Sequence, residues 1–121
     1  MILILGGRGS GRHAFLSGLG LAEEDWAEVT AEDLRLFAGQ GRRAAEALAC
    51  RRAVIAEEQG LGIIPLEAAA RRDRETNGRL NIQLAELADC VVFMTAGIPH
   101  VIKGSLPETP APSFFPGQVF S

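Results

Sequence analysis

Residues 6–13, Gly6-Gly7-Arg8-Gly9-Ser10-Gly11-Arg12-His13, have the types and spacing to hold a phosphate group. Gly6 and Gly11 match the two glycines of G-x-x-x-x-G-K-[ST]. In that pattern backbone N–H groups converge on an anion at the start of a helix. The next two places depart from it. Arg12 stands where the lysine would be, and His13 where a hydroxyl residue would hold Mg²⁺. A guanidinium can grip phosphate as a fork, but it does not replace a compact ammonium freely. The alternative is a surface helix arginine. His13 could ligate a metal as neutral imidazole, yet a metal site needs several ligands. None stands at ligand spacing beside it, so no metal site is assigned.

Glu57 and Glu58 follow an apolar run, where an α/β enzyme often places a catalytic acid. Adjacent residues on an extended segment point opposite ways, so one site cannot easily use both. Glu58 is either that acid or a brace for its own loop. Asn81 lies in an otherwise apolar helical stretch, and a buried amide needs partners. The 57–65 loop could supply them. Arg71, Arg72, Arg74 and Arg79, interleaved with Asp73 and Glu75, read as a solvated, ion-paired helix face.

The elements that position these residues follow from the pattern. Ile2–Leu5, Ala53–Ala56 and Cys90–Thr95 are short strands without charged residues, as in a sheet covered on both faces. Residues 12–19 form a short helix ending near Gly18 or Gly20. Trp26–Val29 alternates weakly as a strand. Thr30 is an N-cap with Asp33 as its capping-box partner, and Gly39 and Gly41 break the helix that follows. Residues 42–51 are strongly helix-forming. Two helical runs, 67–76 and 79–88, flank Asn77-Gly78. Ala96–Pro99 turns the chain, and Val101–Lys103 closes the sheet.

Strands alternating with helices predict an α/β fold: a three-layer α/β/α domain of phosphate-loop type with a mostly parallel, shortened sheet, over residues 1–103. Ligands in such folds sit beyond the carboxyl ends of the strands. The loops at 6–11, 57–65 and 96–100 should therefore share one edge. Residues 104–121 form a Pro/Phe-rich tail, expected to pack on the domain or on a neighbouring subunit.

The 121 residues suit one domain, with 47% hydrophobic and 22% charged residues. A net charge of −3 gives no electrostatic reason to expect nucleic acid or an acidic membrane as partner. Cys50 and Cys90 make neither a disulfide framework nor a metal cluster, and both are expected as buried thiols. No basic segment precedes the first apolar run, which is too short to span a membrane. The expectation is a cytoplasmic protein.

From Ile55 to Lys103 the chain resembles the C-terminal half of the bifunctional adenosylcobinamide kinase / adenosylcobinamide-phosphate guanylyltransferase family. That family carries N-E-V-G-x-G-[IV]-V-P after a strand, then R-x-x-R-D-x-x-G-x-x-N-Q-x-[LI]-A, and closes with A-D-x-V, a strand, G-[IL]-P and a lysine. The matching residues are Glu58 to Pro65; Arg71, Arg74, Glu75, Gly78, Arg79, Leu80, Asn81, Leu84 and Ala85; then Ala88, Asp89, Val91, Gly97, Ile98, Pro99 and Lys103. Ile2 to Arg12 also resembles the family's opening.

The resemblance implies nucleotide binding at Gly6, Gly7, Arg8, Gly9, Ser10, Gly11, Arg12 and His13, with ATP or GTP as the nucleotide and Glu58 as the catalytic candidate. It implies adenosylcobinamide as the substrate; a homo-oligomer is the expected assembly, with the tail available for self-association. The family reaction is phosphoryl transfer to the aminopropanol hydroxyl, followed by guanylyl transfer. Residues 20–52 replace a longer family segment, which carries the guanylyl-accepting histidine and an acidic residue serving Mg²⁺ and nucleotide. The chain's two histidines, His13 and His100, lie elsewhere. The expectation is a truncated, divergent relative without guanylyl transfer and without the standard kinase groups or Mg²⁺ ligands. The alternative is a non-catalytic nucleotide- or anion-binding module, or an assembly module, on the same fold.

Overall fold

Apolar alternation along the first strand already divides the molecule in two. In the computed structural model, which describes residues 1–58 and 68–106, Leu3 and Leu5 face one side of the sheet and Ile4 the other. Strand β1 (Ile2–Gly6) leads into helix α1 (Arg12–Gly18) and, past a 3-10 turn at Glu23–Asp25, into β2 (Trp26–Glu28). Helices α2 (Ala31–Gln40) and α3 (Arg42–Leu48) precede β3 (Ala53–Glu57). Helix α4 (Ala68–Leu87) precedes β4 (Cys90–Thr95) and β5 (Ile98–Lys103).

The strands lie in the order β2-β3-β1-β4-β5. The first four are parallel, and β5 runs antiparallel to β4 at the edge. This is the expected α/β architecture with a short, mostly parallel sheet. Connections through α2, α3 and α4 cover one face, where Leu3, Leu5, Val54, Ala56 and Val91 meet Phe37, Ala45, Leu80, Leu84 and Ala88. Leu80, Leu84 and Ala88 recur every fourth residue, so one stripe of α4 meets the sheet. Among the described residues, the short α1 is the α-helix that covers the other face. There Phe15 and Leu16 pack on Ile4, Ile55, Val92 and Met94, with Leu106 against the same cluster.

Several expectations change. The runs on either side of Asn77-Gly78 form one continuous helix, because Asn77 is buried and its amide is held by Glu57 (below), which outweighs the weak propensity of the pair. Helix α2 passes through Gly39 and ends at Gly41, where φ is +61°. The turn after β4 is confined to Ala96-Gly97, since Ile98 and Pro99 already belong to β5. Pro99 is tolerated there because β5 is an edge strand. Cys50 is exposed, lying in the turn after α3 rather than in a strand. Cys90 is buried, and burial pushes its thiol up from the ordinary range. The expected capping box at Thr30 is present, with Asp33 N–H donating to Thr30 Oγ1 at 3.1 Å and Thr30 N–H to Asp33 Oδ2 at 2.8 Å. All of the 104–121 tail expectation beyond residue 106, and the 59–65 part of the 57–65 loop, lie outside the described residues.

Candidate functional site

The register of the parallel strands brings the candidate residues together. Gly6 pairs across β1 with Glu57 on β3 and Met94 on β4, so all three strands end at one level. The 6–11 loop, Glu57-Glu58 and the Ala96-Gly97 turn therefore share the carboxyl edge, as expected for the described part of those loops. Glu58 N–H donates to Gly6 O at 2.9 Å and Gly97 N–H donates to Ser10 O at 2.8 Å. These two bonds tie the glycine loop to its neighbours on both sides.

Gly11 is the N-cap of α1 in the left-handed region (φ +97°), with no side-chain cap hydrogen bond. A Cβ there would lie 3.0 Å from Gly97 Cα, so conformation and close approach both demand glycine. Sequence reading grouped Gly97 with this edge, but not as a contact of the loop. Its signal was the glycine of the Gly97-Ile98-Pro99 motif.

The charged candidates separate into pairs and one remainder. Arg8, mostly exposed, lies 3.7 Å from Glu57 through Nε–Oε2. His13 is also exposed, and its Nε2 lies 2.8 Å from Glu28 Oε1, at the end of β2. Arg12 is buried, at 8% exposure, which decides against the surface-arginine reading. Among the described residues no hydrogen bond or ion pair accompanies it. The Ser10 hydroxyl is also buried without a partner.

On the far side of β3, Asn77 and Asn81 face one carbonyl. Their Nδ2 atoms donate to Glu57 O at 2.9 and 3.1 Å, and Asn81 Nδ2 also reaches Glu58 Oε1 at 3.4 Å. The expectation that Asn81 finds its partners at the start of the 57–65 loop is met. Glu58 is steered by an amide from α4, and among the described residues Asn81 Oδ1 is left buried without a partner. Lys103, grouped by sequence with the same motif set, lies at the opposite edge and caps α4: Nζ donates to Ala85 O at 2.9 Å and Glu86 O at 3.2 Å.

A mostly parallel α/β sheet with a glycine loop after a central strand is an open-sheet architecture, in which ligands sit beyond the carboxyl ends of the strands. The family model described as cobinamide kinase / cobinamide phosphate guanyltransferase matches residues 21–102, and the chain belongs to that family. The Bifunctional adenosylcobalamin biosynthesis protein CobP of Pseudomonas aeruginosa is 37% identical over 51 residues. That stretch covers 42% of this chain and 30% of the relative, so the chain matches under a third of the curated relative's length. The family match begins after the glycine loop; the case for Gly6–His13 rests on the geometry above.

Nucleotide chemistry of this class implies Mg²⁺, held by the loop hydroxyl and an acidic residue on a second strand. The residues present do not fit that group. The hydroxyl position is His13, whose imidazole is paired with Glu28, and Glu57 at the end of β3 faces the Arg8 guanidinium at 3.7 Å. Among the described residues no group of three or more His, Cys, Asp or Glu could hold a metal ion. Nor is any described helix long and apolar enough to cross a membrane.

Proposed function

We propose that the chain binds a nucleoside phosphate, ATP or GTP by kinship, at Gly6–His13, and that guanylyl transfer is lost. The observation that carries the reading is the glycine loop itself. It stands between Glu58 and Gly97, tied by one hydrogen bond to each, and opens on a helix start with no side-chain cap. The N–H groups at a helix start have no acceptor within the helix, and phosphate oxygens satisfy them.

Loss of guanylyl transfer rests on the side chains available. No histidine lies between residues 14 and 99. His13 is committed to Glu28, and His100 is exposed on β5. Incubation with labelled GTP, followed by denaturation, should leave the chain unlabelled; stable label on either histidine overturns the loss.

If phosphoryl transfer to adenosylcobinamide persists, Glu58 is our candidate to take the hydroxyl proton. Its carboxylate is steered by Asn81, and its backbone is tied to the loop at Gly6. The second reading, a non-catalytic nucleotide-binding or assembly module, is favoured by His13, paired with Glu28, in place of the loop hydroxyl that would hold a metal. A product assay with adenosylcobinamide and ATP or GTP separates them: phosphorylated product supports the kinase, and nucleotide binding without product supports the module. Exposed Ile98, Val101 and Ile102 on the edge strand β5 support the homo-oligomer expectation. Sedimentation of the free chain tests it.

A further inference from the structure

Arg12 raises a physical problem that the other charges at this edge do not. A guanidinium keeps its proton in any protein environment, and burying an unpaired charge is costly. Arg8 has Glu57 and His13 has Glu28. Arg12, more buried than either, has no acidic partner among the described residues. A fold with no use for the charge would be more stable with an apolar residue there.

The direction of the side chain follows from the helix. Phe15 and Leu16, three and four residues on, are buried against the sheet, so Arg12 shares their side of α1. Helical side chains lean toward the helix N-terminus. From the first position of α1 that lean carries Arg12 back over the 6–11 loop. A second orphan lies in the same loop. The buried Ser10 hydroxyl sits so close over Gly6 that a Cβ there would lie 2.5 Å from Oγ. Among the described residues, a largely buried cation and a buried hydroxyl, both without partners at one loop, call for an anion with several acceptor oxygens.

We propose that Arg12 is a built-in counter-cation that lets the Gly6–Gly11 loop take a phosphate group without a divalent metal. The inference rests on the reading of the loop as a phosphate site and specifies how that site works. The guanidinium supplies the positive charge that lysine and Mg²⁺ share in an ordinary site of this kind. His13, paired with Glu28, stands at the sequence position of the hydroxyl that would hold a metal. Recognition lies in the phosphate group, so a nucleoside diphosphate and free phosphate are both ligands, with any nucleoside contact adding affinity.

Calorimetric titration of the whole chain with GDP and with inorganic phosphate, in excess Mg²⁺ and again in EDTA, tests this. The expected result is binding that EDTA leaves unchanged, and a loss of about thirtyfold or more in Arg12→Met. Tighter binding of GDP than of phosphate marks a nucleotide site; equal binding marks a phosphate site, and both fit the proposal. Arg12→Met should also melt higher than the parent without ligand and gain nothing from phosphate. A surface arginine would move neither quantity. Binding that needs Mg²⁺, or an Arg12→Met that binds like the parent, overturns the proposal and leaves the phosphate site standing. No binding under either condition overturns both. Arg12→Gln repeats the comparison if the methionine variant does not fold. Failure of both variants to fold also overturns the proposal, because Arg12 would then serve the unliganded fold.

Discussion

The two edges of the sheet treat their polar groups in opposite ways. At the amino edge the polar groups are matched. The Met1 ammonium meets Asp89 Oδ2 at 2.6 Å, Asp89 N–H returns to Met1 O at 2.9 Å, and Lys103 caps the last carbonyls of α4. At the carboxyl edge Arg8 and His13 have acidic partners, but among the described residues Arg12, largely buried, has none, and Ser10 Oγ and Asn81 Oδ1 are buried without one. Both edges are built from the same strands, so the difference lies in the side chains. A matched edge holds the fold together. An unmatched one stores unsatisfied bonding that a ligand can complete, as parallel sheets do at their strand ends.

Breaking the matched edge should cost stability and spare binding. The largest effect is expected at Gly104, which follows β5 with φ +69° and whose added Cβ would lie 2.0 Å from Asp89 O. Gly104→Ala should lose about 2–4 kcal/mol in urea unfolding, from backbone strain and the forced shift of Asp89. A loss under half a kilocalorie would show that this edge yields freely.

Asn77→Leu tests the boundary between the two regimes. It removes one of two donors to the Glu57 carbonyl from a buried position, at an expected cost of about 1–3 kcal/mol. It should also weaken ligand binding, because Glu57 ends the strand beside the loop. Unchanged binding would confine the amide pair to the fold.

Lys103→Met removes a cation and two hydrogen bonds at the C-terminus of α4, and should lose about 1 kcal/mol with no change in phosphate binding. A binding defect here would mean that the two edges are coupled.

The smallest effect is acid dependence at Asp89, whose carboxyl is held below its ordinary 3.8, first by the hydrogen bond from the Met1 ammonium and then by that group's charge. The folded value is lower than the unfolded one, so the contribution is whole above the unfolded value. It fades as pH falls through the folded value. Asp89→Asn should flatten the acid limb of stability below about pH 4 and leave that of phosphate binding alone. An acid limb identical to the parent's would show the ion pair to be too solvent-exposed to count.

Much of this was legible from residue types alone. The apolar runs at 2–5, 53–56 and 90–95, the Thr30 cap and the spacing from Gly6 to Gly11 are local signals. Strand period, capping geometry and turn conformation act over a few residues, so sequence determines them. The family resemblance was equally legible, since it rests on motif order. Which cysteine was buried was not, because Cys50 and Cys90 differ in where their segments dock rather than in their neighbours. The Asn77-Gly78 pair misled for the same reason: local propensity argued for a break, while a carbonyl twenty residues away on β3 holds Asn77 inside one continuous helix. Tertiary structure alone decided that Arg12 is buried, that His13 is taken by Glu28, that Gly97 holds the loop, and that Lys103 works at the far edge. Each of these depends on strands brought side by side from distant parts of the chain, and no local pattern encodes which charge will meet a partner and which will be left without one.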